Sequence, residues 1–230
     1  MGITTIYYDK DKQHVKEKYE TDILGRYNGL REEYREDGSL FMRGHYKHNK
    51  PHGEFEYYWE NGDLMSRETY ENGKIEGRSE HYTKGRLDTV YTYHLGKKEG
   101  PFEKYWDNGN LEEKGTYHDD VQEGLTEQYR KDGTLWQKNT YHADKKDGPA
   151  TEYYADGTLM STRTYKDGQL NGVEERHFPS GNLFYRMTYV NGQKEGPSEA
   201  YYDNGQIAEK GTYQNGQFIG ERWNMDGTKA

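Results

Sequence analysis

The chain has 230 residues, a formal net charge of -9 and no cysteine. The lack of cysteine excludes a disulfide framework, a thiolate nucleophile and a cysteine zinc site, and a negative balance without a lysine or arginine block argues against nucleic-acid binding. Only 30% of the residues are hydrophobic, yet 24 tyrosines, 6 phenylalanines and 4 tryptophans make the composition too aromatic for a disordered chain.

Membrane and export segments are not visible in the sequence. No stretch approaches the roughly 20 apolar residues of a membrane-spanning helix. The first residues, MGITTIYYDK, lack the basic and apolar regions of a secretory signal. We therefore expect a cytoplasmic protein with no membrane partner.

A glycine recurs along the chain at intervals of 24 residues, with one interval of 23. The positions are Gly29, Gly53, Gly77, Gly100, Gly124, Gly148, Gly172, Gly196 and Gly220. A fixed period of this length is typical of repeat proteins whose units stack on their neighbours.

Each repeat also contains a first tyrosine column, a leucine column and a second tyrosine column. The first column is Tyr34, Tyr58, Tyr82, Tyr105, Tyr129, Tyr153, His177 and Tyr201. The leucine column is Leu40, Leu64, Leu87, Leu111, Leu135, Leu159, Leu183 and Ile207. The second tyrosine column is Tyr46, Tyr70, Tyr93, Tyr117, Tyr141, Tyr165, Tyr189 and Tyr213.

Turn dipeptides divide the columns. Asn61-Gly62 separates the first tyrosine from the leucine, and Asn72-Gly73 separates one repeat from the next. Such dipeptides between alternating apolar residues are a strong hairpin signal because both residues tolerate positive φ. Each repeat is therefore predicted to be one β-hairpin.

The spacing also predicts the turn. A three-residue loop of residues 60–62 sets Tyr58 opposite Leu64, and we predict that Tyr70 shares their face, giving a Tyr-Leu-Tyr layer. In the repeat that lacks one residue, a two-residue loop Lys84-Gly85 keeps the same register.

The fold prediction is all-β: an elongated, single-sheet antiparallel meander, or solenoid, of 24-residue β-hairpin repeats. Residues 1–28 are predicted to be a divergent N-terminal capping repeat and residues 29–219 to be eight hairpin repeats. Residues 220–230 are predicted to be a truncated C-terminal capping repeat, closed by Trp223 and Met225.

Polar residues recur by repeat instead of converging once, so we predict no enzyme, cofactor or metal. Glutamates three residues after the glycine have two interpretations: acceptors for tyrosine hydroxyls, or a carboxylate row that attracts a basic partner. They are Glu32, Glu56, Glu80, Glu103, Glu127, Glu175 and Glu199. The cluster His45, His48 and His52 lacks a recurring acidic ligand, and His177 is interpreted as a tolerated replacement of a column tyrosine.

The residues that follow the first tyrosine and leucine columns differ between repeats and lie on the opposite face. Trp59 with Met65, Tyr154 with Met160, and Phe178 with Phe184 are predicted cross-strand neighbours. Either they pack against the sheet, or they form an exposed patch for a protein partner. The candidate partner-binding residues are Trp59, Met65, Trp106, Trp136, Tyr154, Met160, Phe178, Phe184 and Tyr202.

The order tyrosine, Asn-Gly, leucine, tyrosine, Asn-Gly-Lys and glycine, as in GEFEYYWENGDLMSRETYENGKIEG, resembles the MORN repeat variant family. The resemblance covers about Gly29 to Gly220. Bacterial proteins of this family are commonly assigned as the antitoxin or immunity half of toxin–antitoxin pairs, and the resemblance implies that role here.

Two functional hypotheses follow. The first is a non-enzymatic scaffold that binds and neutralises a toxin, which a net charge of -9 suggests is basic. The alternative is a structural or assembly scaffold without a toxin partner, with self-association through open sheet edges.

Overall fold

The computed structural model describes residues 2–230 and divides them into two compact units. Unit 1 runs to Asn110 and includes Tyr117–Asp120. Unit 2 comprises Leu111–Thr116 and Val121–Ala230. Every regular element among the described residues is a β-strand, and the described part of the chain has no helix that is long and apolar enough to cross a membrane.

The strands follow one another closely along the chain. The first ten are β1 (Gly2–Tyr7), β2 (Val15–Thr21), β3 (Tyr27–Tyr34), β4 (Leu40–Lys47), β5 (Lys50–Tyr58), β6 (Leu64–Glu71), β7 (Lys74–Ile75), β8 (Gly77–Thr83), β9 (Arg86–His94) and β10 (Lys97–Tyr105). The others are β11 (Leu111–His118), β12 (Val121–Tyr129), β13 (Leu135–His142), β14 (Lys145–Tyr153), β15 (Leu159–Lys166), β16 (Gln169–Leu170), β17 (Gly172–His177), β18 (Leu183–Val190), β19 (Gln193–Tyr201), β20 (Ile207–Gln214) and β21 (Gln217–Arg222).

Within each unit, strands pair antiparallel with their neighbours in sequence. In unit 1, β5 pairs with β4 on one side and with β6 on the other. In unit 2, β14 pairs with β13 and β15 in the same way. The prediction of an all-β antiparallel meander of hairpin repeats is confirmed.

The loop inside the hairpin of a 24-residue repeat is the predicted three-residue loop. In the second repeat, Tyr58 lies opposite Leu64, the amide of Trp59 donates to the carbonyl of Asp63 at 2.8 Å, and Gly62 has a φ of 85°. The left-handed backbone at this position explains why glycine recurs there, since a side chain would be strained.

The shorter repeat has the predicted two-residue loop. Lys84 and Gly85 have φ values of 53° and 72°, and Thr83 pairs with Arg86 while Tyr82 pairs with Leu87. Because both loop residues have positive φ, this is the hairpin turn whose twist matches the flanking strands. The lost residue therefore leaves the register intact.

The predicted Tyr-Leu-Tyr layer on one face is wrong. Tyr58 pairs with Leu64, but Tyr57 pairs with Ser66, so Met65 is an extra residue that bulges from β6. A bulge of one residue reverses the alternation of side chains beyond it. Tyr70 consequently lies with Tyr57 on one face, and Tyr58 lies on the other.

We call the face that carries Tyr58 and Glu56 the ladder face, and the face that carries Phe55, Tyr57 and Tyr70 the core face. In unit 1 the buried Phe55 ring lies 4.9 Å from the Tyr70 ring. Glycine at position 44 makes room for Phe55, because a Cβ there would come within 2.3 Å of Cδ1 of the phenylalanine.

The core face of unit 2 is more polar. Its buried side chains include Thr126 and Ser198. Unit 1 also buries serines on this face, at positions 66 and 79, but together with the large rings of Phe55 and Phe102. The buried Glu174 accepts a hydrogen bond from Nε of Arg163 at 2.8 Å, so a charge that would be costly in isolation is paired.

Candidate functional site

Tyrosines of the first column bind the recurring glutamates on the ladder face. The hydroxyl of Tyr58 donates to Oε2 of Glu56 at 2.7 Å. Other pairs in the described chain are Tyr34–Glu32, Tyr82–Glu80, Tyr105–Glu103, Tyr129–Glu127 and Tyr201–Glu199. The interpretation of these glutamates as acceptors for tyrosine hydroxyls is confirmed for these pairs.

Lysine ammonium groups pair with the carboxylate of Glu127 on the ladder face. Nζ of Lys114 and Nζ of Lys138 lie 2.7 and 2.8 Å from the two carboxylate oxygens of Glu127. Hydrogen bonds from these two lysines and from Tyr129 lower the pKa of Glu127 to about 2. A carboxylate neutralised in this way offers little charge to a basic partner.

The pKa of Tyr58, the donor to Glu56, is shifted in the opposite direction. Burial and the hydrogen bond to Glu56 raise the pKa of Tyr58 to about 12. The hydroxyl therefore keeps its proton, and so its role as a donor, at any physiological pH.

Side chains that follow the first tyrosine column tie one repeat to the next. The hydroxyl of Tyr154 donates to the carbonyl of His177 at 2.8 Å. Similar bonds join Tyr8 to Tyr34, Arg35 to Tyr58, Trp59 to Tyr82, Arg130 to Tyr153 and Tyr202 to Trp223. Three candidate partner-binding residues, Trp59, Tyr154 and Tyr202, thus have a structural role that the sequence did not indicate.

An aromatic cleft of about 690 Å³ opens in unit 1 beside the hairpin loop of residues 59–63. Two of the predicted residues, Trp59 and Met65, line it together with Phe41. The Phe41 and Trp59 side chains are 36% and 44% exposed, so the cleft presents apolar surface to solvent.

The rim of the cleft is charged. Glu60 and Asp63 supply carboxylates, and Lys84 supplies an ammonium group. The guanidinium of Arg35 lies 5.0 Å from the Phe41 ring centroid and donates to the carbonyl of Leu40 at 3.2 Å. Arg35 is thereby held as part of the wall.

The other predicted residues do not enter this cleft. Phe178 and Phe184 lie in unit 2 with ring centroids 4.7 Å apart, as predicted for cross-strand neighbours. Trp136 is exposed, whereas Trp106 and Met160 are half-buried. The structure brings together Trp59 with Met65 in unit 1 and Phe178 with Phe184 in unit 2.

A set of acids before the repeat glycine was missed by sequence reasoning. Glu76 accepts a hydrogen bond from the Leu95 amide at 2.8 Å, and its other oxygen lies 2.9 Å from Nδ1 of His94. The hydrogen bond that Glu76 accepts raises the pKa of His94. Similar acids are Glu99, Glu123, Asp147 and Glu195. The sequence signal that could have identified these acids is their position one residue before a repeat glycine.

The histidine cluster lies at a turn between repeats. His48 has a φ of 50°, and His52 lies in β5. Among residues 2–230, no group of three or more histidine, aspartate or glutamate side chains is arranged to hold a metal ion.

The repeat pattern and the hairpin geometry are those of a known family. A family model described as "MORN repeat variant" matches residues 27–48, 51–72, 98–119, 146–167, 170–191 and 194–215. These matches cover more than half of the chain. The protein belongs to the MORN repeat variant family.

The segments between the matched ranges include the shortened repeat with the Lys84-Gly85 loop and the repeat that ends at Ala143-Asp144. Both segments keep the hairpin register of the family's matched repeats. No curated protein sequence matches this chain.

Several solved structures show a weak likeness. The crystal structure of TcdB2-TccC3-TEV is 13% identical, with 92% of this chain and 15% of that chain covered and a TM-score of 0.21. The structure of the Photorhabdus luminescens Tc holotoxin pore is 14% identical, with 99% of this chain and 16% of that chain covered and a TM-score of 0.21. The chain spans about a sixth of the length of these proteins, and at such TM-scores nothing about its function follows from them.

Proposed function

We propose that the protein is a non-enzymatic, protein-binding repeat scaffold of the cytoplasm, and that it acts as an antitoxin or immunity protein by covering a partner toxin. Family membership supports a binding scaffold, since regular repeats present variable side chains at fixed positions. The observation that carries the proposal is the aromatic cleft of unit 1.

The cleft has the chemistry of a protein-binding hot spot. Tryptophan, methionine and arginine are enriched at the centres of interfaces, and here Trp59, Met65 and Arg35 lie together beside Phe41. Fixing Arg35 and Trp59 through backbone carbonyls orients the surface before binding, which lowers the entropic cost of association.

The net charge of -9 favours a basic partner. The ladder carboxylates are largely compensated, so the attraction comes from the chain's overall field and from the Glu60 and Asp63 carboxylates at the cleft rim. Association should consequently slow as salt is added.

The test is rescue of growth. The protein is co-expressed with the product of each adjacent gene that arrests growth, and binding is measured by calorimetry with purified components. We expect the wild type to restore growth and Phe41→Ala to weaken binding at least tenfold, because it removes an exposed wall of the cleft.

Phe184→Ala is the matched control, because Phe184 occupies the same repeat position in unit 2 and is similarly exposed at 40%. It should leave binding unchanged. Equal losses from both variants would contradict the cleft as the site, and failure to neutralise any adjacent product would favour the alternative, an assembly scaffold without a toxin.

A further inference from the structure

Asparagine is followed directly by glycine at eight places in the chain. In such a pair the amide nitrogen of the glycine can attack the side-chain amide of the asparagine, and a glycine without Cβ does not shield that nitrogen. Sequence alone makes the eight pairs equal, so their hydrogen bonds have to separate them. The pairs begin at Asn28, Asn61, Asn72, Asn108, Asn171, Asn191, Asn204 and Asn215.

Two of these pairs end in a glycine that belongs to a strand ladder. Gly29 of β3 pairs with Tyr46, and Gly172 of β17 pairs with Tyr189. Attack on the preceding side chain closes a five-membered ring, and the backbone has to leave its extended conformation to form it. Ladder pairing of the backbone opposes this movement at both sites.

Three further pairs lie in the loops inside hairpins, where both reacting groups are engaged. In the second repeat, the Gly62 amide donates to the carbonyl of Trp59 at 3.0 Å. Oδ1 of Asn61 accepts the amide of Asp63 at 3.1 Å. The glycine has to give up its bond before its nitrogen can act as a nucleophile. The same two kinds of bond are made in the loops at Asn108 and Asn204.

Two pairs lie in turns between repeats and keep one of these bonds. Asn72 and Asn191 have φ values of 52° and 49°. The amide of Gly73 donates to the carbonyl of Pro51 at 2.8 Å, and the amide of Gly192 makes the equivalent bond at 2.8 Å. The nucleophile is therefore engaged in both turns.

The turn at Asn215 differs from the other turns between repeats. The backbone amide of Asn215 donates to Oε2 of Glu195 at 2.8 Å. Within residues 2–230, however, neither the Gly216 amide nor the Asn215 side chain has a hydrogen-bond partner. Both residues are exposed, and a Cβ on Gly216 would meet nothing within 4 Å. Both reacting groups are thus open to water and free to approach each other.

The pairing of the last two strands differs in the same place. In β4 and β5, Gly44 pairs with Phe55, eleven residues later, across an irregularity in the register. The equivalent Gly211 of β20 pairs with Gly220, nine residues later, in a regular ladder. This different register accompanies the loss of the bond that Gly73 makes in its own turn.

We infer that Asn215 is a site of spontaneous deamidation that reacts faster in the folded chain than the other Asn-Gly pairs. The Gly216 nitrogen, having lost its proton to solvent, attacks Cγ of Asn215. The N–Cγ bond forms, the Cγ–Nδ2 bond breaks, and Nδ2 leaves as ammonia with a proton from solvent. Water then opens the resulting succinimide: cleavage of the N–Cγ bond gives aspartate, and cleavage at the main-chain carbonyl gives isoaspartate.

The two products have different structural consequences. Aspartate fits the turn, because Asp167 occupies the equivalent position with a φ of 49°. Isoaspartate adds a methylene group to the backbone, so a two-residue turn can no longer set Gln214 opposite Gln217. Both products add a negative charge, and isoaspartate also weakens the pairing of β21.

Peptide mapping of the full chain by mass spectrometry tests this inference. The purified protein is held at pH 8 and about 37 °C in water enriched in oxygen-18, which labels each asparagine that converts. We expect Asn215 to convert about fivefold faster than Asn72, the factor that one net hydrogen bond corresponds to. Asn61 should convert more slowly than Asn72, because two bonds have to break there.

The same chain unfolded in urea is the control, since unfolding removes the hydrogen bonds of every pair and should make the eight rates similar. Asn215→Asp should abolish labelling at this position, keep the circular dichroism of the wild type and leave the other rates unchanged. Equal conversion of Asn215 and Asn72 in the folded chain, faster conversion at any other pair, or a spread of rates that survives in urea overturns the inference.

Discussion

Unit 1 and unit 2 use the same hairpin but fill their core faces differently. In unit 1, Phe55 and Phe102 are buried beneath tyrosine rings, and Ser79 is buried between them in the same column of the repeat. In unit 2 the same column holds Thr126, Ala150 and Ser198. Apart from the two-residue loop Lys84-Gly85 of unit 1, turns and backbone pairing are alike in both, so the repeat fold does not depend on one kind of core side chain.

The comparison teaches that fold and stability have separate sources in this protein. The fold follows from turn residues and register, whereas local stability follows from which side chains each repeat buries on its core face. Buried aromatic side chains are stabilised by apolar burial and ring contacts, while buried polar side chains depend on satisfied hydrogen bonds.

The largest predicted effect is at Phe55, a buried aromatic side chain of the core face. Phe55→Ala should lower the free energy of unfolding by about 3–5 kcal/mol, because it leaves a cavity over Gly44. Chemical denaturation of the full chain measures the change. Phe184→Ala, at a half-exposed ring of unit 2, should cost much less; equal losses would remove the distinction between the units.

The next effect concerns the buried ion pair of Glu174 and Arg163 in unit 2. Glu174→Gln should cost about 1.5–3 kcal/mol, since it weakens a charged hydrogen bond to Arg163 in a buried setting. Replacing both residues, as Arg163→Met with Glu174→Leu, should restore much of that loss. Equilibrium denaturation of the three proteins decides this, and a double variant weaker than Glu174→Gln would contradict it.

A smaller effect tests the bonds between repeats. Tyr154→Phe removes the donor to the His177 carbonyl and should cost about 0.5–1.5 kcal/mol. Tyr153→Phe is the control, because Thr151 replaces the glutamate partner of that column. Thermal unfolding should show a lower Tm for the first variant; a matching drop in the control would mean that loss of any hydroxyl suffices.

The smallest effect is a pH dependence at Glu127. Its folded pKa of about 2 lies below the ordinary 4.5, so its contribution to stability is present above pH 4.5 and is lost as the pH falls towards 2. Urea denaturation at pH 6, 4 and 3 should show a shallower loss for Glu127→Gln than for the wild type. Identical slopes would show that the lysine pairs do not stabilise the fold.

Most of the fold could be predicted from sequence because turn chemistry is local. Gly62 and the Lys84-Gly85 pair require positive φ, and these residues specified both loops. The bulge at Met65 could not be predicted. No residue type requires it, because it follows from how the hairpin loop joins the two paired strands. Missing it placed Tyr58 and Tyr70 on the same face.

The site was predicted less completely for a different physical reason. Variable aromatics such as Trp59 and Tyr154 look alike in sequence, but only the stacking of neighbouring hairpins decides whether an indole or hydroxyl meets a carbonyl. The cleft also depends on Arg35, whose position follows from contacts one repeat away. Such relations between repeats carry no local sequence signal.

The forward bonds from each hairpin bear on how such a protein can change in evolution. Tyr154 reaches His177, and Arg130 reaches Tyr153, each in the following repeat. A tandem duplication of one 24-residue segment would therefore supply a new acceptor for the donor before it and a new donor for the acceptor after it. The number of repeats can therefore change by one whole repeat at a time, without compensating substitutions elsewhere in the chain.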